Sequence, residues 1–252
     1  MQGLDRYAYV NNSPVRYVDP SGHTSVCAGS NADPECGGAD TWRLPFVDAQ
    51  YGITFDGDGW TVKTKKAVRT AVENVAKAFQ QAYNQMCDGW DDNCPQVSSA
   101  AEAFKKVYGN IFTFTWSNEQ PGNAGYTNAY NHITLYSVKD SPNYLENHMR
   151  VIVHELGHAF NQVVGKDAQN SLNANLLRDA DGDHTDEYGR YYGFAGGWDN
   201  WQFGWDNTAS EVFADMFIGW VYNTWDLSGR DGGLGTQRMT LMNSKMPLWL
   251  NR

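Results

Sequence analysis

Apolar residues recur at helical spacing between Val68 and Met86: Val68, Ala71, Val72, Val75, Phe79, Ala82, Tyr83 and Met86 fall on one stripe. That pattern predicts a long amphipathic helix ending near Cys87. Ser99 followed by Glu102 has the form of a capping box and predicts a second helix that stops at Gly109. Phe112, Phe114 and Trp116 then alternate with Thr113 and Thr115, the period-2 signature of a half-buried strand. A region rich in turn residues, NEQPGNAGYTN, separates it from a second strand, HITLYS, and the apolar run VIVHELGHAF follows. Further on, TASEVFADMFIGW sets Val212, Phe213, Met216, Phe217 and Trp220 at helical spacing. Helices interleaved with a few strands predict an α+β fold with a small sheet and a helical C-terminal half. The chain has 252 residues, 41% of them hydrophobic, enough to bury one substantial core. We expect one main domain behind a short N-terminal tail, and the chain contains no internal repeat or low-complexity block.

The apolar run carries the chemistry. His154-Glu155-Leu156-Gly157-His158 sets two histidines four apart, so on a helix they stack on one face and offer two imidazole nitrogens to one ion. Neutral imidazole suits zinc, and a catalytic zinc site takes three protein ligands and keeps a fourth position for water. Glu155 stands roughly 100° further round the helix, beside the ion, where its carboxylate can take a proton from the activated water. Histidines hydrogen-bonded in an ordinary core would show the same spacing; the apolar flanks and the third ligand below favour the metal reading. A metzincin is excluded, because Val164 stands where its third histidine belongs and Asn161 where its glycine belongs. On the later helix, Glu211 and Asp215 lie four apart on one face. Glu211 is expected as the third ligand, and Asp215 as acceptor of the far N–H of a liganding histidine. The competing reading is a solvated acidic stripe, but carboxylates on an otherwise apolar helix are costly to bury without a cation.

HELGH with a downstream E-x-x-x-D resembles the gluzincin zinc peptidases, and HELGHAFN followed by SEVFADMF is most similar to the anthrax lethal factor catalytic-domain family. The resemblance covers two helices and the C-terminal tail. It implies a zincin-like fold, with zinc on His154, His158 and Glu211, Glu155 as the general base, and a protein or peptide substrate. In that family an edge strand lines the cleft and a tyrosine shortly before the ligand glutamate stabilises the oxyanion. Here Phe203, Gly204 and Trp205 occupy the stretch just upstream of the ligand helix. Tyr188, in Tyr188-Gly189-Arg190, is the candidate for that role, with Tyr191, Tyr192 and His184 as rivals.

Residues 3 to 23, GLDRYAYVNNSPVRYVDPSGH, resemble the close of the core domain of rearrangement-hotspot (Rhs) or YD-repeat proteins. Tyr7, Tyr9, Asn12, Pro14, Asp19, Pro20 and Gly22 fit its pattern, Asp19 at the position that takes part in releasing the domain behind it; His23 stands where an apolar residue is usual. The same segment also reads as a turn-rich leader. On the resemblance, residues 1–23 are a remnant of the Rhs core and 24–252 the zinc peptidase domain. The latter would be an effector or toxin made inside a parent Rhs shell and checked by a neutralising partner, or else a surface peptidase. The shell is absent from these residues, so self-cleavage is not expected.

Four cysteines form two close pairs, Cys27 with Cys36 and Cys87 with Cys94, each bracketing a turn-rich loop. Local disulfides are the simplest of the three possible connectivities and would place the protein outside a reducing compartment, secreted or at a cell surface; free thiols are the alternative. A net charge of −10 repels phosphate and argues against nucleic acid as a partner. No stretch approaches the ~20 apolar residues of a membrane span. In DADGDHTDE, Asp179, Asp181 and Asp183 alternate as calcium ligands do, but His184 replaces the glycine of an EF-hand loop and no glutamate closes it. A solvated acidic loop is the competing reading, and His184 or one of these aspartates is an alternative zinc ligand. His132 and His148 are expected to be structural or surface residues. Ten tryptophans and fourteen tyrosines, many of them in GRYYGFAGGWDNWQFGW, support a rival of another class: an aromatic binding module for carbohydrate or protein, needing no zinc.

Overall fold

The computed structural model describes residues 17–18, 26–27, 43–87, 97–138, 144–147, 149–174, 176–177, 208–229 and 232–251. The chain divides into two compact units, Met1–Ala49 and Gln50–Arg252. In the first, a two-residue strand β1 (Tyr17–Val18) pairs antiparallel with β2 (Val26–Cys27). Helix α1 spans Arg43–Tyr51.

The second unit is an α+β assembly with a small mixed sheet. Its strands are β3 (Ile53–Asp56), β4 (Phe112–Ser117), β5 (Gly125–Ala129) and β6 (His132–Tyr136). They lie in the order β3-β4-β6-β5. β3 and β6 flank β4 in parallel, and β5 returns antiparallel to β6 along one edge. Its helices are α2 (Val62–Cys87), α3 (Ala100–Tyr108), α4 (Tyr144–Asn147), α5 (Arg150–Val163), α6 (Asp167–Asn170), α7 (Ala209–Tyr222) and α8 (Leu234–Leu250). None of the described helices is long and apolar enough to cross a membrane.

The periodic elements follow the patterns that predict them. The apolar stripe of α2 is buried from Val68 to Tyr83, and the helix opens on reciprocal bonds between Thr61 and Thr64: Thr64 N donates to Thr61 Oγ1 (3.0 Å) and Thr61 N to Thr64 Oγ1 (2.9 Å). Ser99 caps α3 by accepting from Glu102 N, although the Glu102 carboxylate reaches back to Ser98 N and Oγ rather than to Ser99. Two strands of the four-stranded sheet escape the sequence reading. β3 lies in a stretch with no clear period, and β5 lies mostly inside the segment read as a turn region. Gly125 and Asn128 argue locally against a strand; β6 supplies its ladder and α5 packs along it.

Aromatic side chains join the helices beneath the sheet. The Phe79 ring of α2 meets Tyr108, Phe160, Phe217 and Trp220 at centroid distances of 5.7 to 6.0 Å, and Phe160 also meets Phe213 and Trp249. Such ring pairs add to simple area burial. Tyr108 Oη donates to the Leu156 carbonyl at 2.8 Å, tying α3 to α5. Burial runs almost unbroken along α5, from Val151 to Gly157 and on through Ala159, Phe160 and Asn161. A helix buried all round sits in the core. Where α5 meets α7, Gly157 lets the two backbones approach: a Cβ there would lie 3.0 Å from Phe217 Cβ and 3.1 Å from Ala214 Cα.

Candidate metal centre

Helix α5 positions the histidine pair and α7 positions the carboxylates opposite it. Thr208 caps α7, its hydroxyl accepting from Glu211 N, so Glu211 occupies the first turn, where the helix dipole favours a negative charge. Its two oxygens divide between the histidines: Oε2 lies 3.0 Å from His154 Nε2 and Oε1 lies 3.3 Å from His158 Nε2. The two Nε2 atoms are 3.1 Å apart. A tetrahedral ion with bonds of ~2.0–2.1 Å spaces its ligands by roughly 3.3 Å, close to all three separations. His154, His158 and Glu211 are thus placed so that they could hold a metal ion.

The far side of each ring is also held. His154 Nδ1 lies 2.9 Å from Asp215 Oδ1, and His158 Nδ1 lies 3.1 Å from Ser210 Oγ. Fixing Nδ1 in this way aims Nε2 at the common point. Burial by itself would lower the His154 pKa, but hydrogen bonds from the ring to Asp215 and Glu211 outweigh it and push it up to about 10. Glu211 moves the other way: burial would raise it, and the bonds from His154 and His158 hold it well below the usual carboxylate range. Burial pushes Asp215 up, opposed by His154 and by the buried Arg238. With two carboxylates facing one imidazole, the proton belongs on His154.

Glu155 lies beside this group, 7% exposed, its carboxylate turned towards β5. Thr127 Oγ1 lies 2.7 Å from Glu155 Oε2, and a Cβ on Gly125 would lie 2.7 Å from Glu155 Cγ. The structure therefore brings His154, His158, Glu211 and Asp215 together, with Glu155 next to them. Ser210, Thr127 and Gly125 belong to the same constellation and go unseen in the sequence reading. Ser210 directly precedes Glu211, a position from which a hydroxyl can reach the second histidine. The other two are hidden because their strand reads as a turn. His132 bonds to Thr115 through Nε2 at 2.9 Å, a contact between strands of the sheet.

Several predicted residues lie outside the described residues. These are Tyr188 with its rivals Tyr191, Tyr192 and His184, the candidate calcium ligands Asp179, Asp181 and Asp183, and the aromatic stretch from 189 to 205. His23, His148 and most of the Rhs-like segment lie there too. Cys27 ends β2 and Cys87 ends α2, but their expected partners Cys36 and Cys94, and so both pairings, are outside the described residues.

Family models, curated proteins and solved structures were compared with the chain, and none of them matches it.

Proposed function

We propose that this chain is a zinc-dependent endopeptidase of the gluzincin type. The observation that carries the reading is the meeting of His154, His158 and Glu211 nitrogen and oxygen atoms at mutual distances of 3.0 to 3.3 Å, with a buried carboxylate, Glu155, beside them. Two imidazoles and a carboxylate are a donor set that suits zinc, and three protein ligands leave a position open for chemistry. Bound there, the ion would acidify the attacking water and polarise the scissile carbonyl. Glu155 takes the proton from that water and passes it to the leaving amine. Asp215 and Ser210 keep the two imidazoles turned towards the ion. Strand β5, at the edge of the sheet among the described residues and beside Glu155, is the strand along which an extended peptide would pair.

The Rhs-like segment and the spacing of the four cysteines in two close pairs favour delivery outside the cell, as an effector or as a surface enzyme. Elemental analysis and cleavage of a peptide library test the core of the proposal. We expect about one zinc per chain in wild type, loss of most of it in Glu211→Ala, and full zinc without cleavage in Glu155→Gln. Absence of zinc after refolding with the metal, or cleavage by Glu155→Gln at the wild-type rate, would overturn it.

A further inference from the structure

The carboxylate of Glu155 is held by the strand beside it. Thr127 Oγ1 lies 2.7 Å from Glu155 Oε2 and 2.9 Å from the Glu155 main-chain oxygen. A hydroxyl has one proton, so it donates to one of these at a time; the shorter contact falls in the range of a charge-assisted O–H···O⁻ bond. Two residues earlier, on the same face of β5, Gly125 presents a bare Cα. A Cβ at that position would stand 2.7 Å from Glu155 Cγ, 3.1 Å from Cδ and 3.0 Å from Oε1. The strand thus acts on this side chain twice, once by donating a proton and once by leaving room.

From this geometry we infer that Thr127 is a positioning residue for the general base. Its hydroxyl holds Oε2 and leaves the lone pairs of Oε1 for the attacking water, while Gly125 lets the carboxylate lie against the strand. A glutamate has three rotatable side-chain bonds, and proton transfer requires its oxygen within hydrogen-bond reach of the water; a fixed donor at 2.7 Å removes most of that freedom before substrate arrives. The second acceptor completes the arrangement. When Glu155 carries the proton, the Thr127 hydroxyl can turn to the main-chain oxygen at 2.9 Å and is never left unsatisfied. No covalent bond to Thr127 forms or breaks: the proton moves from water to Glu155 and on to the amine. The inference rests on the peptidase reading above.

Its test compares Thr127→Val, which keeps the shape and removes the hydroxyl, with Thr127→Ser, which restores the donor. In Thr127→Val we expect an unchanged zinc content, KM within about twofold, and kcat lower by about tenfold to a hundredfold; Thr127→Ser should recover kcat to within about threefold. A readout independent of turnover is a double-mutant cycle on the zinc-free protein, using Thr127→Val, Glu155→Ala and the pair in urea unfolding. It should show a coupling of about tenfold in the unfolding equilibrium constant. Wild-type kcat in Thr127→Val, a loss that serine does not rescue, or a cycle without coupling would each overturn the role of Thr127 while the peptidase reading stands. Wild-type protein that binds zinc and cleaves no peptide would overturn the peptidase reading itself, and the role of Thr127 in catalysis with it.

Discussion

Gly157, the fourth residue of the HELGH motif, is a sharp test of how the helices that carry His154, His158 and Glu211 are spaced. Replacing it with alanine adds one methyl group at the crossing of α5 and α7, 3.1 Å from Ala214 Cα and 3.0 Å from Phe217 Cβ. Neither neighbour is the free end of a flexible chain, so α7 must move as a body. Reaching ordinary contact at roughly 3.4 Å requires a shift of about 0.3 Å or more, whereas metal–ligand distances tolerate about 0.2 Å. Glu211 lies three residues before Ala214 on the same helix and moves with it. Overpacking costs about 1–3 kcal/mol, and the better helix propensity of alanine over glycine offsets about 1 kcal/mol. Stability in the zinc-free protein should therefore fall by only about 0–2 kcal/mol. Zinc affinity should fall by about tenfold, as it does when the outer support of a ligand is disturbed. Urea unfolding and competition titration against a chelator measure the two quantities. Wild-type zinc affinity in a stably folded Gly157→Ala would refute the argument that close helix packing sets the ligand distances.

Two other predictions follow from the site and its support. On the proposed zinc reading the ion would need the Nε2 lone pair of His154, whose pKa is pushed up to about 10 by its hydrogen bonds to Asp215 and Glu211; protons would then compete with the ion, and affinity should rise about tenfold per pH unit between about pH 7 and 9, levelling off above about 10. Titration in buffers of different ionisation enthalpy should detect one proton released per zinc, and a flat profile would show that His154 is neutral before the metal binds. Tyr108→Phe removes the donor to the Leu156 carbonyl and should destabilise the fold by about 1–2 kcal/mol without changing zinc affinity; a matching loss of affinity would mean that α3 helps to hold the ligand geometry.

The histidine pair, the glutamate between them and the acidic pair on α7 were legible in the sequence because each is a local, helical spacing. Residues four apart share a helix face whatever the helix packs against. The same holds for α2, whose stripe has one period over its buried length, and for the cap of α3. The meeting of the two helices was expected only because Glu211 and Asp215 are costly to bury on an apolar helix without a cation; nothing in the residue order between 163 and 209 brings Glu211 to within 3.0 Å of His154. Strand β5 shows the opposite limit. Gly125 and Asn128 are poor strand formers, and the segment is a strand because β6 satisfies its backbone and α5 covers one face. Thr127 and Gly125 therefore could not be assigned to Glu155 from sequence, and neither could Ser210 to His158. The sequence by itself determined which chemistry is available, through residue types at helical spacing. Tertiary structure alone decided how closely α5, α7 and β5 approach, because those distances depend on small residues such as Gly157 and Gly125 and on contacts between segments far apart in the chain.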